Sequence, residues 1–203
     1  MRFVKNKPKI IGLTGGISSG KSTVVKYLLK ENILVFDSDL AVKNIWKDNQ
    51  ILKEEIKKRY SIDLDSTNGK SELAHILFCN KEVRTEVESL IHPIVFKMID
   101  DWIVENNEQK FLIIDMPLLF EVGYHEKVDE VILIYVPCRV QLKRLMLRDN
   151  LSKEDAMNRI KSQMKIDKKI NYSTYVINNE GDFDSLYEQI DKLVRGLKDE
   201  GKQ

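Results

Sequence analysis

The stretch Gly15-Gly16-Ile17-Ser18-Ser19-Gly20-Lys21-Ser22, followed by Thr23, fits G-x-x-x-x-G-K-[ST] at every fixed position. Glycine turns of this kind aim several backbone N–H groups at one point, and a helix opening directly after them adds the positive end of its dipole. An anion is the natural occupant of that point. The lysine reaches β- and γ-phosphates as a point charge, and the serine hydroxyl beside it can sit on Mg²⁺. The pattern predicts a nucleoside triphosphate site built from Gly16, Ile17, Ser18, Ser19, Gly20, Lys21, Ser22 and Thr23.

Further chemistry-bearing groups recur at the ends of apolar runs. Asp37 and Asp39 follow Ile33-Leu34-Val35-Phe36, and Asp115 closes Phe111-Leu112-Ile113-Ile114. Open α/β sheets place ligands at the carboxyl ends of their strands. One of Asp37 and Asp39 could take the proton of an attacking hydroxyl or hold Mg²⁺ through water, and either could instead cap the next helix. Asp115 could hold the Mg²⁺ shell or serve as a strand-end cap. Arg144 and Arg148 stand one helical turn apart, as do Arg159 and Gln163. Arginines converging on a phosphoryl group neutralise charge spreading in a transition state; the plain alternative is a solvated face paired with Asp149 and Glu154. His92-Pro93 marks a kink, a helix start or a ligand contact.

The elements that must position these groups can be read in order. Lys9–Thr14 is a buried strand and Thr23–Lys30 has helical spacing; Ile33–Phe36 is a second strand and Leu40–Trp46 a helix. Residues 48–110 leave simple β-α alternation, with helices over Gln50–Tyr60 and Glu72–Phe78, a loop over Ser61–Ser71, and a long pattern over Lys81–Asn106 interrupted at His92-Pro93. Phe111–Asp115, Val131–Val136 and Tyr175–Asn179 are three more strands. Met116–Glu121 is too apolar for a solvated loop, which suits packing beside a bound molecule. Helices are expected over Arg139–Asp149 and Ser152–Lys165, the second opened by a Ser152/Asp155 capping box. Asp182–Lys198 closes the chain with Phe183, Leu186, Ile190, Leu193 and Val194 as its inner stripe, before a frayed tail at Asp199–Gln203. The whole is an α/β fold: a three-layer parallel sheet of P-loop NTPase type, with a helical insertion at 48–110 and a helical lid at 139–165 around a core of 9–47, 111–138 and 174–200.

Composition excludes several classes. At 203 residues, 42% hydrophobic and 32% charged, the chain suits one charge-rich globular domain, and a net charge of +1 offers no overall field for nucleic acid. Cys79 and Cys138 lack metal-ligand spacing and read as reduced thiols. The basic stretch Met1–Pro8 has no apolar core of a signal peptide, and no apolar run reaches the ~20 residues of a membrane span. The expectation is a cytoplasmic protein with no membrane or nucleic-acid partner, as a monomer or small homo-oligomer.

In their order, these segments resemble the dephospho-coenzyme A kinases of bacteria. The likeness covers Gly12–Ile17, Asp37-Ser38-Asp39, His92-Pro93, Pro117–Glu121, Gln141–Met146 with Arg148-Asp149, Arg159-Ile160 with Ser162-Gln163-Met164, and Val176–Asn179. The resemblance implies transfer of the ATP γ-phosphate to the ribose 3′-hydroxyl of dephospho-coenzyme A, the last step of coenzyme A synthesis, with Mg²⁺. It implies Asp39, or else Asp37, as base, with Lys21 and Arg144 also catalytic and Arg148 on ATP. Asp37, His92, Leu118 and Arg159 are implied at the acceptor, and Ser22 and Asp115 at the metal. The 48–110 insertion becomes the acceptor-binding region. Ser18 stands for a usual glycine, Lys43 and Lys70 for arginines, Ser38 for alanine and Thr174 for aspartate. Another small-molecule P-loop kinase and an ATP-holding regulatory module are the rival readings. A guanine-reading N-K-x-D is missing, since Asn80-Lys81 continues as Glu82-Val83.

Overall fold

A computed structural model describes residues 7–199. The expectations for the first six residues and for 200–203 lie outside the described residues. The chain divides into two compact units: Asp37–Val104, and the remainder on either side of it. The division falls at 37 and 104, against the sequence boundaries of 48 and 110.

The first unit is built on a sheet of β1 (Lys9–Gly15), β2 (Val35–Asp37), β3 (Phe111–Asp115), β4 (Glu130–Tyr135) and β5 (Tyr175–Asn178), in the order β2-β3-β1-β4-β5. The pairs of β1 with β3 and β4, and of β4 with β5, are parallel. Ile11, Leu13, Leu112, Ile113, Ile114, Ile132, Leu133 and Ile134 are all buried, the continuous apolar reading of strands covered on both faces. On one face Val24 and Leu28 of α1 (Lys21–Lys30) and Leu186, Ile190, Val194 and Leu197 of α9 (Phe183–Asp199) share a core with these strands. The expected stripe of α9 needs one correction. Phe183 is exposed, because it opens the helix beside its Asp182 cap; it lies against Tyr187, and Leu197 extends the stripe instead.

After β4 the chain forms α6 (Cys138–Asp149), α7 (Lys153–Lys161) and α8 (Ile166–Ile170). Ser152 caps α7 by accepting from Asp155 N at 3.1 Å and donating to the Asp155 carboxylate at 2.6 Å. The single helix expected over Ser152–Lys165 ends at Lys161, so Gln163 leaves the helical face it was to share with Arg159. Both cysteines are free and exposed.

The second unit holds α2 (Ser38–Asp48), α3 (Gln50–Tyr60), α4 (Gly69–Cys79) and α5 (Lys81–Glu105). Asp37 and Asn49 cap α2 and α3, accepting from Leu40 N and Leu52 N, both at 2.9 Å. Helix α4 starts at Gly69, where a Cβ would stand 1.8 Å from the Asp63 carbonyl oxygen. Helix α5 runs unbroken through Pro93, correcting the expected interruption. Its stripe Val87, Ile91, Val95, Ile99 continues past the proline at four-residue spacing, and that burial outweighs one lost N–H.

Candidate active site

The P-loop is shaped by backbone geometry before any side chain acts. Ser19 N donates to Gly16 O at 3.1 Å, and Thr23 N to Gly20 O at 3.0 Å as α1 begins. Gly20 has φ 87, and a Cβ there would meet Asn179 Nδ2 at 2.1 Å, so only glycine fits. Ser18, the residue standing for glycine, is left-handed as well, with φ 56. The hydroxyls of Ser18 and Ser19 are buried with no hydrogen-bond partner among the described residues, which fits a loop meant to surround an anion.

Parallel pairing brings the sequence-distant charges together. Leu13 of β1 lies opposite Asp115 of β3, so the carboxylate stands beside the strand leading into the loop. Lys21 Nζ donates to Asp115 Oδ1, and both side chains are largely buried. This joins two predicted groups, the phosphate-binding lysine and the metal-shell aspartate, in one place. Ser22 and Thr23 lie in the first turn of α1, with Ser22 exposed.

Three carboxamides enclose the loop, and none had been given a role from sequence. Gln163 Oε1 accepts from Ile17 N at 3.1 Å. Asn179 Nδ2 donates to Ser19 O at 2.7 Å. Gln141, 2% exposed, donates to Val136 O at 3.1 Å and sits where a Cβ on Gly16 would clash at 2.4 Å. Asn179 directly follows β5, the same kind of strand-end position that had identified Asp115; that signal was available. Being neutral, the amides add no charge that would repel a triphosphate.

The arginines separate. Arg144 Nη2 donates to Asn179 O at 2.9 Å. Arg148 pairs with Asp149 at 2.7 Å, and Arg159 reaches the same carboxylate at 3.0 Å. The hydrogen bond from Arg148 holds the Asp149 carboxyl below the usual range. Arg148 and Arg159 thus meet on Asp149, whereas Arg144 turns to a main-chain carbonyl. Leu118 is exposed on the turn after β3, while its neighbours Leu119 and Phe120 are buried; Leu119 packs on Gly12.

Within the second unit, Asp37 and Asp39 are both exposed, Asp37 as the cap and Asp39 in the first turn of α2. His92 stacks on Phe96 with ring centroids 5.9 Å apart. A cavity of about 360 Å³ has Trp46, Leu64, Leu73 and Leu77 as apolar walls and Lys43, Lys47 and Lys70 as cations. No carboxylate pairs with these three lysines among the described residues.

A parallel sheet whose first strand feeds a P-loop, with a charged pair at the loop and a helical hairpin beyond it, defines an α/β protein of the P-loop NTPase fold. The family model for CoaE, dephospho-CoA kinase, matches residues 9–185. A dephospho-CoA kinase of Staphylococcus aureus (strain bovine RF122 / ET3-1) is 38% identical over 198 residues, 96% of this chain and 94% of the relative. Among solved structures, a Thermus thermophilus protein superposes with TM-score 0.80 at 28% identity, covering 95% of this chain and 99% of that one. A dephospho-CoA kinase from Campylobacter jejuni gives 0.72 at 26% identity, with 96% and 98% covered. The chain belongs to the dephospho-CoA kinase family.

Proposed function

We propose that this chain catalyses transfer of the γ-phosphate of ATP to the ribose 3′-hydroxyl of dephospho-CoA, giving CoA and ADP, the last step of CoA synthesis. The observation that carries this reading is the Lys21–Asp115 pair at the mouth of the P-loop, in a chain of this family. Backbone amides of residues 16–22, apart from that of Ile17, which Gln163 holds, take the phosphates and Lys21 bridges β and γ. Asp39, or else Asp37, accepts the proton of the acceptor hydroxyl. Arg144 neutralises the phosphoryl group in flight, with Arg148 on ATP, and the 139–165 hairpin acts as the lid that excludes water.

The acceptor is held by the helical insertion, residues 48–110, through His92, and outside it by Asp37 and Arg159, with Leu118 against its apolar part. The lysine-rimmed cavity suits the anionic arm of that acceptor. Mg²⁺ would supply charge neutralisation at the β- and γ-oxygens. Among the described residues no three His, Cys, Asp or Glu side chains gather for a metal. This fits an ion that takes most of its ligands from phosphate and water, with Ser22 and Asp115 as the protein's share. No helix of the described residues is long and apolar enough to cross a membrane. The reading is of a cytoplasmic enzyme, working as a monomer or small homo-oligomer, with no nucleic-acid partner.

The test is ADP release with ATP and Mg²⁺, with and without dephospho-CoA, and with AMP and shikimate as competing acceptors. Stimulation by dephospho-CoA alone, with CoA as product, supports the reading. Stimulation by a different acceptor keeps the kinase and discards the substrate, and no stimulation at all discards both.

A further inference from the structure

We propose that Gln163 is a positioning residue of the P-loop, and that the pair of buried Lys169 with Glu121 acts through it; the inference rests on the kinase reading above. Gln163 Oε1 takes the Ile17 amide at 3.1 Å, at the start of the turn that carries the remaining phosphate-facing amides. A carboxylate could make the same bond but would set a negative charge beside the triphosphate. A neutral carboxamide fixes the loop without that repulsion.

No helix carries Gln163 to this position, because α7 ends at Lys161 and α8 begins at Ile166. What holds the intervening segment is its neighbour: Met164 N donates to Glu121 Oε1 at 2.8 Å. Glu121 is in turn gripped by Lys169 Nζ, at 3.0 Å from Oε1 and 3.3 Å from Oε2. Lys169 is 0% exposed, and its ammonium also donates to Pro117 O at 3.3 Å. The same carbonyl accepts from Thr14 Oγ1 at 3.0 Å. The path Thr14–Pro117–Lys169–Glu121–Met164–Gln163–Ile17 thus leaves the P-loop strand just before the loop and returns to it inside the loop.

Stability alone does not account for such a lysine. Apolar residues of similar volume often serve a buried site as well as an ion pair does, whereas the pair fixes one geometry. Here the geometry fixed is the register of Gln163 on Ile17. The loop is held in its phosphate-ready shape before ATP arrives, which lowers the ordering cost of binding.

The test uses the full chain. Gln163→Leu removes the acceptor at nearly constant volume. It is expected to weaken binding of the β,γ-imido analogue of ATP, and to raise KM for ATP, by about tenfold, the scale of one lost hydrogen bond. KM for dephospho-CoA and the melting midpoint should stay where they were. Lys169→Met/Glu121→Gln removes the ion pair but keeps an oxygen facing Met164 N, and should give the same selective loss for ATP. Combined with Gln163→Leu, the two losses should not multiply, since both report one bond. If the double variant fails to fold, Glu121→Gln alone completes the cycle. Unchanged analogue affinity in Gln163→Leu overturns the proposal, as do both KM values rising together with a lowered melting midpoint. Losses that multiply overturn the Lys169–Glu121 arm. A wild-type chain that binds the analogue yet shows no acceptor-dependent ADP release sinks the kinase reading, while the binding data still decide the role of Gln163.

Discussion

Arg144 donates to the main-chain carbonyl of Asn179 at 2.9 Å, and the carboxamide of that same asparagine holds Ser19 O at 2.7 Å. An arginine of α6 is thereby linked to the P-loop through one residue following β5. Its guanidinium is kept near the loop by a single directional bond, leaving further donors of the fork for a phosphoryl group. Arg144→Lys keeps the charge and loses the fork. It is expected to lower kcat by about tenfold while ATP affinity changes much less. Steady-state kinetics beside ATP-analogue titration would show this. An unchanged kcat would reduce Arg144 to a structural tie on Asn179.

Lys21 and Asp115 form the charge centre of the site, with Asp115 only 6% exposed. Lys21→Ala takes away the phosphate contact and one partner of a buried carboxylate. Turnover is expected to fall by about a hundredfold or more. The melting midpoint should also fall, because a buried carboxylate loses its ammonium partner. Adding Asp115→Asn to Lys21→Ala should restore much of the midpoint and none of the turnover. Restored turnover would place the catalytic charge elsewhere.

Local rules made the P-loop legible, because its glycines and lysine act through the few residues around them. Asp115 was legible from the end of an apolar run. Asn179 occupies the equivalent place at β5 but was passed over, since the reading of strand ends favoured carboxylates. The bond that Gln163 makes was not legible. That contact with Ile17 depends on α7 stopping at Lys161 and on a bond from Met164 to Glu121, 43 residues away. Spacing also put Arg144 and Arg148 on one face, but could not tell that Arg148 and Arg159 would meet on Asp149. The continuity of α5 through Pro93 was hidden for a related reason: a proline's cost is local, and the burial that offsets it is tertiary.

Ser18 holds a left-handed backbone, φ 56, that a Cβ makes costly, and its hydroxyl is buried without a partner among the described residues. Ser18→Gly relieves the strain but gives the unfolded chain more freedom. The net expectation is a gain of about 1 kcal/mol in urea unfolding. A loss would mean that the hydroxyl makes a compensating contact in solution.

Tyr27 of α1 donates its hydroxyl to Asp191 of α9 at 2.6 Å. The hydrogen bond to that carboxylate, then desolvation, pushes the phenol from 10.0 up to about 12. A group whose folded pKa is raised contributes stability that is complete below its unfolded pKa and is lost as pH climbs through the folded one. The urea midpoint should therefore decline between about pH 10 and pH 12 more steeply in the wild type than in Tyr27→Phe. Parallel declines would show that the Tyr27–Asp191 bond is not linked to unfolding.

Asp37 and Asp39 are told apart by substitution. Asp37 caps α2 by accepting from Leu40 N. Asparagine caps as well as aspartate, so Asp37→Asn should leave stability near wild type, and Asp37→Ala should lose about 1 kcal/mol. Asp39 lies inside the first turn of α2, where an acidic side chain favours the helix dipole only modestly. Asp39→Asn keeps the size of the side chain and should lose turnover by about a hundredfold or more, the scale of a missing general base. The pair of asparagine variants, compared for ADP release and urea midpoint, separates cap from base. If Asp37→Asn is the inactive one, the base is Asp37, and its capping bond must be made by one carboxylate oxygen while the other faces the acceptor hydroxyl.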